Sequence, residues 1–296
     1  MKKLITFTSA AVAATALFAA PQVSDVALTQ DASRTVTITY KLKGEPGIVT
    51  VDIQTNAGEK GWVSIGGQHL TYFGGDANKV VQPSDTETRT ITWKPRKAWP
   101  DNQVTENVKA VLSAWALNAP PDYMVVSLTA SKYVRYYTCA ENVPFGVSND
   151  MYKTEYLVMR KVPAANVTWR KGSPTTETGR SATREVPHVI TMPNDYYVGV
   201  YEVTQRQYEL ILGTRPSYFK LDADYATRPV ESISYEDVRG TTGCIWPNNL
   251  HAVKSDCFIG KLRTHSGLNG FDLPRGGVGV RLPGGLWRGA QQRDGT

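Results

Sequence analysis

At 296 residues, 41% of them apolar and 20% charged, the chain has room for two ordinary domains and is too apolar to be disordered. Its formal charge of +6 is spread thin: Lys2 and Lys3 sit at the extreme N-terminus, and Arg275, Arg281, Arg288 and Arg293 sit in an atypical tail. No Lys/Arg run is interleaved with aromatic residues, which excludes nucleic acid as a partner class.

The opening MKKLITFTSAAVAATALFAA has a charged start, an apolar stretch and small residues at its end. That order is a bacterial-type secretory signal, and its apolar run is too short for a stable membrane span. Residues 1–20 are therefore expected to be a leader. The mature protein is expected to be exported, to the periplasm or the extracellular space. Ala14-Thr15-Ala16 satisfies the small-x-small cleavage rule, while Ala19 or Ala20 fits the usual leader length better.

Residues 21–118 read as strands. In RTVTITYKL, Val36, Ile38 and Tyr40 share one face and Thr35, Thr37 and Thr39 the other. In GIVTVDIQT, Val49, Val51 and Ile53 oppose Ile48, Thr50, Asp52 and Gln54. TRTITWKP and VKAVLSAWAL follow. Gly44-Glu45-Pro46-Gly47, Asn56-Ala57-Gly58 and Gly74-Gly75-Asp76 read as turns between runs. Period-two runs separated by turns predict an all-β immunoglobulin-like sandwich, with Trp93 and Trp115 packed between its sheets. Residues 119–154 read as a connecting segment holding two further strands, YMVVSL and KYVRYYT. Tyr133, Arg135 and Tyr137 fall on one face of the second. They form either a half-exposed aromatic strand or a ladder on which a carbohydrate stacks.

A second domain is expected from residue 155. After the strand YYVGVYEVT, Thr204 and Gln207 form a capping box, Tyr208, Ile211 and Leu212 supply a buried face, and Gly213 ends the helix. Ser234 with Asp237 starts another helix. A third is predicted over 256–263, with Phe258 and Leu262 one turn apart. Export permits a disulfide. The sequence leaves a Cys244–Cys257 pair open and reads Cys139 as a small buried residue. No CxxC occurs, which argues against structural zinc. His69, His188, His251 and His265 show no ligand spacing and read as surface or hydrogen-bonded core residues. Glu202 and Glu231 read as structural, binding loop backbone.

The segments VTWRKGSP, EVPHVITM, DYYVGVYEVTQRQYELIL, RPVESISYEDV and FDLP occur in an order that resembles the formylglycine-generating enzyme, or sulfatase-modifying factor, family over roughly residues 160–274, which places the N-terminal part of such a domain at 155–274. Lys171 stands where that family has Met, Tyr235 where it has Trp, and Glu185-Val186-Pro187-His188 is one residue tighter. The resemblance implies an α+β, C-type-lectin-like fold. The family reaction is oxidation of a sulfatase cysteine to formylglycine, with copper held by two thiolates and calcium bound elsewhere. A sulfatase, another exported protein or a glycan is the implied partner. In the family the paired cysteines follow an LPTEAEWEYACRAG segment, and none of Cys139, Cys244 and Cys257 matches them. No catalytic, cofactor-binding or metal-binding residue is therefore carried over. The domain is expected to be incomplete and inactive, with the sandwich surviving limited proteolysis alone.

The tail itself explains why. After FDLP the family continues Thr-Glu-Ala-Glu-Trp-Glu-Tyr-Ala-Cys-Arg-Ala-Gly. Written in GC-rich codons and read two bases later, that stretch translates as RGGVGVRLPGG, identical to Arg275–Gly285. Our hypothesis is that residues 275–296 are an out-of-frame translation. A phosphate loop at Arg275–Gly279 lacks the following Lys-Ser/Thr and opens no helix. The nucleotide sequence across codons 270–300 is expected to hold the family continuation in an adjacent frame, and its absence from every frame overturns the reading.

Overall fold

The computed structural model describes residues 20–101, 107–183, 185–240 and 253–273. Residues 1–19 of the expected leader, the 275–296 tail, Cys244 and His251 lie outside the described residues, and so does the Cys244–Cys257 pairing. The chain is rich in β-structure with a few short helices. Its strands are β1 (Gln22–Gln30), β2 (Val36–Lys43), β3 (Gly47–Asn56), β4 (Trp62–Ser64), β5 (Phe73–Gly75), β6 (Lys79–Val81), β7 (Arg89–Trp93), β8 (Val108–Ala116), β9 (Tyr123–Ser127), β10 (Val134–Tyr137), β11 (Tyr156–Val162), β12 (Thr168–Lys171), β13 (His188–Thr191) and β14 (Tyr196–Gly199). The helices are α1 (Pro95–Ala98), α2 (Met151–Thr154), α3 (Gln205–Leu212), α4 (Tyr235–Arg239) and α5 (Phe258–Ser266).

Two antiparallel sheets form the N-terminal part. One runs β1-β2-β7-β5; in the other, β3 pairs with β4, β6 and β8. The alternation seen in the sequence places Val36, Ile38, Tyr40 and Leu42 of β2 against Val49, Val51 and Ile53 of β3, and Ile91 and Trp93 join them in one core. Each such side chain contributes about 1.5–3 kcal/mol by leaving water. Two local expectations change. Gly74-Gly75 is not a turn: Phe73–Gly75 pairs with Ile91–Trp93. Gly75 has φ 71°, and a Cβ there would lie 2.2 Å from the Thr90 carbonyl oxygen, so only glycine lets the strands approach so closely. Trp115 does not lie between the sheets. It is paired with Ile48, and period two turns both away from Val49. Both pack on the core of the C-terminal part, and the Trp115 Nε1–H donates to Thr50 Oγ1 at 3.0 Å.

The C-terminal part is a sheet ordered β10-β9-β11-β14, so both strands of the 119–154 segment pair within it. The helices α3 and α5 cover one face, joining Met124, Met159, Tyr208, Phe258 and Leu262 in a core that also takes in Ile48. Tyr208 and Phe258 stack with ring centres 5.2 Å apart. Backbone bonds tie the two parts together: Tyr136 N–H to Asn78 O at 2.7 Å and Gly67 N–H to Glu141 O at 2.8 Å. The face of β3 and β8 that an isolated N-terminal part would expose is thus occupied. Helix α5 starts and ends later than predicted because the Cys257 sulfur, accepting from Gly260 N–H at 3.4 Å, acts as its N-cap. Sequence rules reserve that role for Ser, Thr, Asp and Asn. Among the described residues, no helix is long and apolar enough to cross a membrane.

Candidate functional site

Two places concentrate polar chemistry. The first joins the segments that carry the family resemblance. Thr204 Oγ1 accepts from Gln207 N–H at 3.3 Å and donates to Lys153 O at 2.5 Å. Gln207, 1% exposed, accepts from Thr204 N–H at 3.0 Å through Oε1 and donates through Nε2 to Tyr152 O at 3.0 Å and Tyr156 O at 2.8 Å. The RPVE segment lies beside it, with Val230 N–H on Val203 O at 2.9 Å. Glu231 accepts from Phe219 N–H at 3.3 Å and Ser232 Oγ–H at 2.5 Å. Burial opposes its charge, but these bonds, with others from Tyr218 and Ser217, outweigh it and hold the carboxyl below the usual range. Glu231 thus binds loop backbone as the sequence suggests; Glu202 is exposed.

Ser234 and Asp237 cap α4 reciprocally. At its far end Arg239 makes a two-pronged ion pair with Asp272 of FDLP, Nε–Oδ1 2.6 Å and Nη2–Oδ2 2.9 Å. Its Nη1 donates to the Tyr235 hydroxyl at 2.9 Å. Tyr235 stands where the family that the sequence resembles has Trp. A Trp there would only donate, whereas this Arg needs an acceptor.

The two described thiols, Cys139 and Cys257, sit in different surroundings. Cys257 is buried in the core and its S–H donates to Lys254 O at 2.9 Å, so the sulfur serves the helix end. Cys139 is half-buried rather than buried and belongs to no core cluster with Cys257. Among the described residues, no group of three or more His, Cys, Asp or Glu could hold a metal ion. The described histidines each face a backbone carbonyl: His69 that of Ala98, His188 that of Val186 and His265 that of Ser127. His69 also stacks on Trp99 at 4.2 Å.

The second place is a cleft of about 320 Å³ where the two parts meet. Tyr133, Arg135 and Tyr137 line one wall together, as their spacing predicts. Leu70–Phe73 come from the N-terminal part, and Phe145, Tyr152 and Tyr156 complete it. The Arg135 guanidinium lies 5.1 Å from the Tyr133 ring centre and donates to Ala77 O at 2.6 Å. Tyr133 and Tyr152 flank Tyr156 at 6.0 and 6.2 Å. The Tyr152 hydroxyl donates to Pro144 O at 2.8 Å and so anchors the Phe145 turn. Burial pushes the Tyr137 hydroxyl up to about 12. Burial acts likewise on Tyr133 and Tyr152, reinforced at Tyr133 by its bond with Tyr156 and at Tyr152 by neighbouring phenols. All three stay neutral near pH 7.

Sequence reasoning missed two cleft residues. Tyr72 and Phe145 have φ 56° and 61°, left-handed backbone that bulky side chains avoid, at about 1–3 kcal/mol each. Both are half exposed, at 52% and 51%. Beside Tyr72, Thr71 is 6% exposed and its hydroxyl has no hydrogen-bond partner. A wider groove of about 750 Å³ includes Tyr196, Tyr197 and Lys161, but the Tyr197 hydroxyl is already given to Pro121 O and the Lys161 ammonium to Pro120 O. No protein-family model matches the chain, and neither the curated proteins nor the solved structures give a significant match.

Proposed function

We propose that the chain is an exported recognition protein, in which an immunoglobulin-like two-sheet part carries a C-type-lectin-like part of the formylglycine-generating enzyme type, used here to bind rather than to oxidise. The observation that carries this reading is the pairing of roles in the C-terminal part. The YEVT and RPVE segments bridge through Thr204 and Pro229, and Arg239, the residue after RPVESISYEDV, is ion-paired with Asp272 of FDLP, which supports the family likeness. The buried thiol of Cys257 is spent on a helix cap, which favours binding over thiolate chemistry.

The test incubates the full chain with a cysteine peptide of sulfatase type, Cu(I) and oxygen, with mass spectrometry and hydrazide trapping as readout. No aldehyde above the protein-free control is expected. Aldehyde formed in proportion to added protein overturns the recognition reading in favour of the family reaction.

A further inference from the structure

We propose that the cleft between the 70–73 segment, β10 and the Phe145 turn binds carbohydrate, taking the C–H face of a sugar ring on Tyr72 and Phe145. The inference rests on the recognition reading but not on the family likeness.

Three observations on one cleft support it. Tyr72 and Phe145 are the exposed aromatics of its lining, and both are held in backbone conformations that their side chains disfavour. Strain of this kind persists where surrounding structure imposes it, and it clusters at ligand clamps. An aromatic face is electron-rich, and a pyranose presents a row of weakly positive C–H groups that settle on such a face. Hydrogen-bonding groups line the same cleft: the neutral phenols of Tyr133 and Tyr156 and the cationic edge of Arg135. A few placed polar groups among apolar walls are the usual make-up of a small-ligand site.

The chemistry also selects against other ligands. The cleft has an arginine and no carboxylate in its described lining, so a quaternary ammonium would meet repulsion and calcium would find no carboxylate ligand. A peptide adding to the sheet needs a free edge at β10. That edge already gives Tyr136 N–H to Asn78 O.

The experiment screens the full 296-residue protein against an array of neutral and uronic-acid oligosaccharides and of proline-rich peptides, then titrates any binder calorimetrically in EDTA. Oligosaccharide binding that survives EDTA is expected. Tyr72→Gly and Phe145→Gly are each expected to weaken it by on the order of tenfold or more. Because glycine adopts positive φ without penalty, both variants should melt at the wild-type temperature or above it, which separates lost stacking from lost folding. The proposal is overturned if the folded protein retains no oligosaccharide, if EDTA abolishes binding, if only peptides bind, or if both variants bind like wild type. Aldehyde formation in the peptide assay would overturn the recognition reading. A chain that makes no aldehyde and binds no sugar overturns the cleft assignment alone.

Discussion

Replacing Arg239 by alanine is expected to destabilise the protein by about 3–5 kcal/mol, the cost of leaving one partner of a buried ion pair without the other. The side chains of Arg239 and Asp272 are only 3% and 2% exposed, so water cannot take the place of Arg239 at the Asp272 carboxylate, to which Leu273 N–H also donates at 2.8 Å. The second cation nearby, Arg263, reaches it only at 3.8 Å and spends its Nε–H on Phe271 O. The pair also holds the C-terminal end of α4 against the 271–273 segment, which has little regular structure. Whole domains are stable by about 5–15 kcal/mol, so one such loss removes a large share. The double variant Arg239→Met with Asp272→Leu distinguishes charge from packing, because replacing both partners by apolar side chains is often close to neutral. Urea titration of the three proteins checks this. A single variant within about 0.5 kcal/mol of wild type, the range of ordinary surface substitutions, would show that the pair does not hold the fold.

Much of the fold is legible where the determinant is local. Val36, Ile38 and Tyr40 alternate with threonines, and that alternation alone sends them inward. Thr204 with Gln207, and Ser234 with Asp237, place two helix starts because a capping box needs only four residues. What the sequence hides is non-local. Trp115 looks like a sandwich-core tryptophan until its pairing with Ile48 is known, and that pairing spans 67 residues of chain. Strands of three residues such as β4, β5 and β6 are too short to show a period. The α5 start depends on a sulfur acting as a cap, which propensity rules do not include.

The cleft divides in the same way. Tyr133, Arg135 and Tyr137 share a face by simple alternation, and the structure puts all three on one wall. The opposing residues come from segments some 60 positions upstream and eight downstream of that strand, and nothing in TYFGG or VPFGV announces left-handed tyrosine and phenylalanine. The nearest signal was the glycine following each short aromatic stretch, which marks a tight bend without saying which residue takes the unusual φ. The sequence offers Cys257 only an open pairing with Cys244. Its capping role needed the Lys254 carbonyl and the Gly260 amide in place around it.

Gln207→Ala is expected to cost about 3–4 kcal/mol, because it strands two buried backbone groups and a part-buried third at about 1–3 kcal/mol each with incomplete additivity. Tyr152 O and Tyr156 O lose their donor and Thr204 N–H its acceptor. The sharper test is Gln207→Glu. Capping-box rules treat Gln and Glu alike, and a Glu could still accept from Thr204 N–H. An ionised carboxylate, however, has no proton to give two carbonyls and would face both in the core. At pH 7 the Glu variant should therefore be at least as unstable as the Ala variant. Burial and the facing carbonyls raise its folded-state pKa above the unfolded value of about 4.3. Its stability relative to wild type is then highest below the unfolded pKa and is lost as pH rises through the folded one. Urea midpoints measured from pH 4 to pH 8 should show the gap to wild type widening with pH. Equal stability of the Glu variant and wild type at pH 7 would mean that the two donated bonds contribute nothing. Tyr152 and Tyr156 both line the cleft, so loosening their carbonyls from α3 should also weaken sugar binding in the fraction that stays folded. A Gln207 variant that is destabilised yet binds with unchanged affinity would place the determinants of recognition wholly on the Tyr72 and Phe145 side of the cleft.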